Sequence, residues 1–252
     1  HCVLKHWWMR GLKEEKKIES DDEESAIEKF KKKLRWDENE KWFDHGGVGL
    51  LFYAVSSNEE EVVADLLEEL KRDFEGKKYF RRLESRVHSE GYISVGIPGN
   101  TTTLMVAMML ASPRIVTLLL ENGANVESVD LMGNDACTFA SIFGRPKNLQ
   151  CWLKSVKDWD LSRQNAVVGG CALGNAVYMG ANKLETVKIL LDAGASLDYR
   201  TFSGGSALTN AAANEDSDPD VVRILLEKLK SSCSPKEFAS IVNYRRKSTT
   251  IK

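Results

Sequence analysis

The sequence predicts an all-α fold in which helix pairs, separated by short β-turns, stack one on the next. The first observation is the stretch IVTLLLENGANV (115–126), an apolar helix that stops abruptly and recurs as VKILLDAGASL (187–197). VVADLLEEL (62–70) and VVRILLEKL (221–229) carry the same helix without the Gly-Ala stop. The second observation is a small-residue segment ahead of each copy: GGVGLLFYA, NTTTLMVA, GNDACTFA, GGCALGNA and GGSALTNA. Starts at Gly47, Asn100, Gly133, Gly169 and Gly204 are 53, 33, 36 and 35 residues apart. Such a period marks an array in which each unit buries its apolar stripe against its neighbours, because one helix pair cannot cover its own.

Composition bounds the function. The 35 basic and 37 acidic side chains leave a net charge of −2, so no global field recruits nucleic acid or an anionic membrane. The densest apolar run, LMVAMMLASPRIVTLLL (104–120), is broken by Ser-Pro-Arg, and neither half reaches the roughly 20 residues of a spanning helix. No membrane segment is expected within the chain. The N-terminus, HCVLKHWWMRGLKEEKK, has no clean apolar core ahead of a small-residue cleavage site, which argues against a secretory signal. It also lacks an initiator Met, and the chain is expected to be a piece of something longer. Cys2, Cys137, Cys151, Cys171 and Cys233 are odd in number, widely spaced and without a C-x-x-C pair, so the expected setting is a reducing one, cytoplasmic or nuclear. Asn100-Thr101-Thr102 then reads as turn chemistry rather than a glycosylation site.

Residues 1–45 form a charged segment apart from the array at 46–252. Within it SDDEESAIEKFKKKLRW (20–36) opens on acidic and capping residues, places Ile27, Phe30 and Leu34 at helical spacing and closes on lysines. It is an amphipathic helix, read either as a cap on the first repeat or as a linker from an upstream domain. The unit from Gly47 is followed by an insertion at 71–99, about 20 residues beyond the period, expected to loop out of the stack and to be its most mobile internal part. Units from Asn100, Gly133, Gly169 and Gly204 follow, and Asp218-Pro219 fits the start of a second helix. A truncated unit begins near 247, with Thr249, Thr250 and Ile251 in register.

The clearest copy resembles the ankyrin-repeat family, whose unit is a β-turn and two antiparallel helices opened by T-P-L-H-x-A. Thr102, Thr103, Leu104 and Ala107 stand at its T, P, L and A positions, and Gly123-Ala124 closes the second helix. The other copies are degenerate. None has the Pro or the His, and the third unit reads LKSVKDWDL (153–161) where Gly-Ala is expected. The resemblance implies an ankyrin-repeat solenoid that binds another protein through its concave face, the turn tips and the exposed side of each first helix. By repeat position those residues are Leu131, Met132, Asn134, Ile142, Phe143, Tyr178, Met179 and Phe202. Apolar turn tips need an explanation, and a contiguous apolar surface marks a protein interface. For Ile142, Phe143 and Met179 packing under adjacent turns is the competing reading.

No pattern points to catalysis, a metal or a cofactor. GGCALG (169–174) lies at a repeat turn rather than between the strand and helix that a phosphate loop needs. His1, His6, His45 and His88 have no ligand partner at i+3 or i+4. The acidic run Glu215, Asp216, Asp218 and Asp220 lacks the Gly and terminal Glu of a calcium loop, and Arg245-Arg246-Lys247 is too short a basic run to bind nucleic acid. Cys137 and Cys151 sit at apolar core positions and Cys171 at a Thr position. Two functions are expected: a non-catalytic protein-binding scaffold, or the ankyrin region of a larger enzyme, channel or transporter. An enzyme sited in 71–99 would have only His88 as a neutral-pH base.

Overall fold

A computed structural model of the chain describes residues 24–34, 36, 48–88, 97–213 and 218–243. Among these are thirteen helices and no strand, with a single antiparallel bridge between Arg86 and Thr102. The chain divides into two compact units, residues 1–131 and 132–252. Gly47, His1, His6, His45, Cys2, Glu215, Asp216, Arg245 to Lys247 and the truncated unit with Thr249, Thr250 and Ile251 lie outside the described residues.

The first unit holds α1 (Ala26–Leu34), α2 (Leu50–Ser57), α3 (Glu60–Asp73), α4 (Gly76–Leu83), α5 (Thr103–Leu110) and α6 (Pro113–Glu121). Helix α1 packs on α3 and buries Ile27 and Phe30, the two apolar residues one turn apart, while Lys33 reaches Glu59 at 2.9 Å. Helix α2 lies against both α3 and α5. Helix α5, TLMVAMML, is buried on every side from Thr103 to Met109, as a helix apolar all round must be. Helix α6 is amphipathic and buries Ile115, Val116 and Leu119.

The 71–99 insertion does not simply loop out. It contains α4, and Leu83, Ser85, Val87 and Ile97 are buried. Its backbone is used by the following repeat: Val87 N donates to Thr101 O at 3.1 Å, Thr103 N donates to Ser85 O at 3.2 Å, and the Tyr79 hydroxyl donates to Asn122 O at 2.9 Å. The aromatic and apolar side chains at helical spacing in GKKYFRRL supply the packing that the period argument did not take into account. Residues 89–96 lie outside the described part.

The second unit holds α7 (Ala136–Ile142), α8 (Pro146–Ser155), α9 (Ala172–Tyr178), α10 (Lys183–Asp192), α11 (Ala207–Ala213), α12 (Pro219–Ser232) and α13 (Pro235–Val242). First helices pack on first helices, α7 on α9 and α9 on α11, and second helices on second helices, α8 on α10 and α10 on α12. Pro at the first turn starts α6, α8 and α12, where the missing N–H is not needed. Trp152 on α8 is fully buried at the offset from Pro146 that Leu119 has from Pro113.

A left-handed residue opens every described repeat: Asn100 (φ 64°), Gly133 (φ 79°), Gly169 (φ 68°) and Gly204 (φ 79°). Two residues later stands the residue before the first helix, and Thr102, Asp135 and Ser206 accept from Met105 N, Thr138 N and Thr209 N there. Three second helices, α6, α10 and, in the repeat without Gly-Ala, α8, also exit through positive φ, at Gly123, Gly194 and Asp158 (φ 56°). The next polar side chain repeats one small turn in all three units: Asn125 accepts from Glu127 N, Asp160 from Ser162 N and Ser196 from Asp198 N.

A Cβ at Gly133 would lie 2.7 Å from Ala166 N, whereas one at Gly194 (φ 90°) meets nothing within 4 Å. Gly194→Ala is therefore expected to cost only the left-handed strain, about 1–2 kcal/mol. Gly133→Ala carries the same strain plus a displaced neighbouring turn, and chemical denaturation should show the larger loss of the two. Equal losses would mean that the turns do not touch in solution.

Candidate functional site

The left-handed start folds the two residues before it into a projecting tip: Leu131-Met132 before Gly133, Val167-Val168 before Gly169, Phe202-Ser203 before Gly204. Each tip is tied to the one before it through the backbone. Leu131 N donates to Gly99 O at 3.0 Å in the first unit; in the second, Ala166 N donates to Met132 O at 2.9 Å and Phe202 N to Val168 O at 3.0 Å. The Gln164 side-chain amide adds a clamp, donating to both Gly169 O and Arg200 O at 2.7 Å. Because these bonds tie main chain to main chain, the tip side chains are turned outward.

In the second unit Met132, Val167, Val168 and Phe202 are exposed at the tips, and Phe202 reaches 68% exposure. Tyr178 and Met179, where α9 ends, are also more than half exposed. In the first unit Leu131 is 57% exposed. Of the residues expected to face a partner, Ile142 and Phe143 are half-buried, and the Phe143 ring stacks on Phe139 at 6.4 Å between centroids. Asn134 is a correction: it is buried, and its Oδ1 accepts from Asn165 Nδ2 at 3.1 Å, so it joins two turns. A residue immediately after the left-handed Gly points back into the turn, which is why its repeat position misled.

Val167 and Val168 were not anticipated, yet their signal is in the sequence. They precede Gly169 at the offset that Leu131 and Met132 have from Gly133. The Phe202 ring also lies over Gly169, whose Cβ would stand 2.8 Å from Cδ1, so this tip side chain is held by its neighbour while exposing its outer face. Rigid apolar residues presented in a row suit them to contact another surface.

The electrostatics do not prepare a nucleophile. Burial pushes the thiols of Cys137 and Cys171 up, so both remain protonated at neutral pH. Burial likewise raises the Tyr199 phenol, whose hydroxyl fills the space beside Gly174, the His position of the ankyrin pattern. Among the described residues no three His, Cys, Asp or Glu gather where they could hold a metal, and no helix is long and apolar enough to cross a membrane.

In the first unit Glu84 accepts from Asn125 N at 2.6 Å and from the Ser128 hydroxyl at 3.4 Å, while Arg86 donates to Ser128 Oγ and Asn100 Oδ1. This network ties the insertion to the next repeat.

No protein-family model matches the chain. Among solved structures, the ankyrin repeat domain of Bcl-3, described as a unique member of the IkappaB protein family, is similar over 73% of this chain and 73% of its own, with a TM-score of 0.57 and 25% identity. The chain is built of ankyrin repeats. Phosphocholine transferase AnkX of Legionella pneumophila is 29% identical over 124 residues, 47% of this chain. The match spans 13% of that relative's length.

Burial raises the Glu84 carboxyl above its ordinary value, more than its hydrogen bonds and Arg86 lower it. A raised folded-state pKa means the folded protein holds the proton more tightly than the unfolded chain. The Glu84 contribution to stability is then fully present below the ordinary carboxylate range and lost as pH rises through the folded value. Glu84→Gln should flatten this part of the stability profile in urea titrations run upward in pH from the ordinary carboxylate range. An unchanged slope would place Glu84 in water.

Proposed function

We propose that the chain is a non-catalytic protein-binding module. It grips its partner with the apolar turn tips of the second unit, Met132, Val167, Val168 and Phe202, flanked by Tyr178 and Met179. The observation that carries this reading is the exposure of large apolar side chains at successive tips whose backbone is held rigid by the neighbouring turn. Rigid aromatic and aliphatic anchors lose little entropy on docking and commonly dominate interface energy. The four described cysteines are free, which supports a reducing, cytoplasmic or nuclear setting.

A second reading has its own support: the array regulates or localises the active part of a larger enzyme. AnkX is named as a phosphocholine transferase, and the match spans only a small share of its length. Under this reading the same tips face another part of the same polypeptide.

Val167→Ser, Val168→Ser and Phe202→Ser together test the first reading. Exposed substitutions usually shift stability by no more than about 0.5 kcal/mol each, so the thermal midpoint should change little. Affinity for a partner identified by crosslinking and pull-down should fall at least about tenfold, the loss of one anchor contact or more. Leu119→Ser is the control for a core position and should cost several kcal/mol. A triple variant that stays folded and binds normally would remove these tips from the interface.

A further inference from the structure

The first unit contains a helix arrangement that the second repeats. EEVVADLLEELKRDFEGKKYFRRL (60–83) and PDVVRILLEKLKSSCSPKEFASIV (219–242) are identical at eight of 24 positions without a gap. The elements coincide as well: α3 and α12 are each 14 residues, α4 and α13 are each 8, and each pair is separated by two residues. Leu70 and Leu229, both buried, occupy the same place in the longer helices. A shared length, break and apolar register identify two copies of one structural element. The short helix is thus a recurring part of this chain rather than an accident of one insertion.

The two copies differ in what rests on the short helix. On the first copy sits a turn–helix pair of the ankyrin type. Ser85 O accepts from Thr103 N at the opening of α5, Tyr79 donates to Asn122 O at the end of α6, and Glu84 accepts from Asn125 N just beyond it. Leu83, the last residue of α4, is 1% exposed. On the second copy Val242 takes the place of Leu83 and is 43% exposed; Phe238 takes the place of Tyr79, and with Ile241 is half-buried. Helix α13 buries no residue, although it is fully capped, with Ser234 Oγ accepting from Glu237 N and Glu237 Oε2 accepting from Ser234 N. A well-capped amphipathic helix whose apolar residues are left half-buried or exposed has a face that can receive another element.

We propose that Phe238, Ile241 and Val242 form the docking face for one further turn–helix pair of the same repeat type in the same polypeptide. What sits on the first copy sets what fits on the second, because the supporting helices share their lengths and apolar register. In the sequence after α13, Thr249-Thr250-Ile251 corresponds to Thr102-Thr103-Leu104, although it follows Val242 by seven residues where the first copy has nineteen after Leu83. The apolar positions of α13 match a repeat's helix pair, not a charged ligand.

The test extends the chain with its own repeat. Lys252 is replaced by a copy of Met105 to Leu131, continuing from Ile251 as the original continues from Leu104. Amides of α13 should exchange at least about tenfold more slowly in the extended protein than in the 252-residue chain, because docking protects the helix beneath. Val242→Ser should lower the thermal midpoint of the extended protein by several degrees and leave that of the 252-residue chain nearly unchanged. Unaltered α13 exchange on extension would overturn the proposal, and so would a graft that stays unfolded, since repeats fold by stacking on a matching neighbour. Equal effects of Val242→Ser in both proteins would overturn it too. Sedimentation of the 252-residue chain covers the other occupant. A dimer that Val242→Ser dissociates would assign the face to a second copy of the chain and contradict the proposal.

Discussion

The stacking within each unit rests on a backbone hydrogen bond that no side chain makes. The amide of each described tip donates to a carbonyl of the tip before it, from Leu131 to Gly99, Ala166 to Met132 and Phe202 to Val168. This contact requires the chain to reverse just after the tip, which a left-handed residue permits. Gly133, Gly169 and Gly204 supply it without a Cβ, and Asn100 supplies it because a short amide side chain tolerates that region. Within each unit the first helices then pack on one another as one layer. The second helices have no choice but to form the other.

The same constraint fixes where function can sit. Tip backbones are occupied by their neighbours, and the first helices α5, α7 and α9 are buried along most of their length. What is left for a partner is the outer side of the tips and the ends of the first helices. Leu131, Met132, Val167, Val168 and Phe202 are not needed to hold the turns, because main-chain bonds and Gln164 do that. Under the proposed function their apolar character serves contact with a partner. The likeness to a stretch of AnkX, whose whole length is far greater, shows that such an array can be a modest part of a much larger protein.

Much of the fold was legible because repeat starts and caps are local. The described starts, Asn100, Gly133, Gly169 and Gly204, have positive φ, and the first helices begin three positions on. Asp158 was opaque: the left-handed exit is met there by an acidic residue, which sequence patterns reserve for Gly or Asn. The packed insertion was missed because a period counts residues and does not weigh them, and the apolar spacing of Tyr79 and Leu83 only acquires meaning beside Thr103 and Asn122. The site was partly legible. Exposure of Tyr178 and Phe202 followed from repeat position, and Met179, open between exposure and packing in the sequence, is exposed; Asn134 instead turned inward to bond Asn165, a contact 31 residues away in sequence. Val167 and Val168 were overlooked although their offset from Gly169 repeats that of Leu131 and Met132 from Gly133.

Native-state hydrogen exchange at the amides of Ala166 and Phe202 tests the stacking of turns most directly. Both residues lie at exposed tips outside any helix, so only the bond to the preceding turn can protect them. If the turns stack as described, each amide should exchange at least about 100-fold more slowly than in an unstructured peptide. Exchange at the unstructured rate, with the helices still protected, would show that the tips move independently and that the repeats are held by helix packing alone.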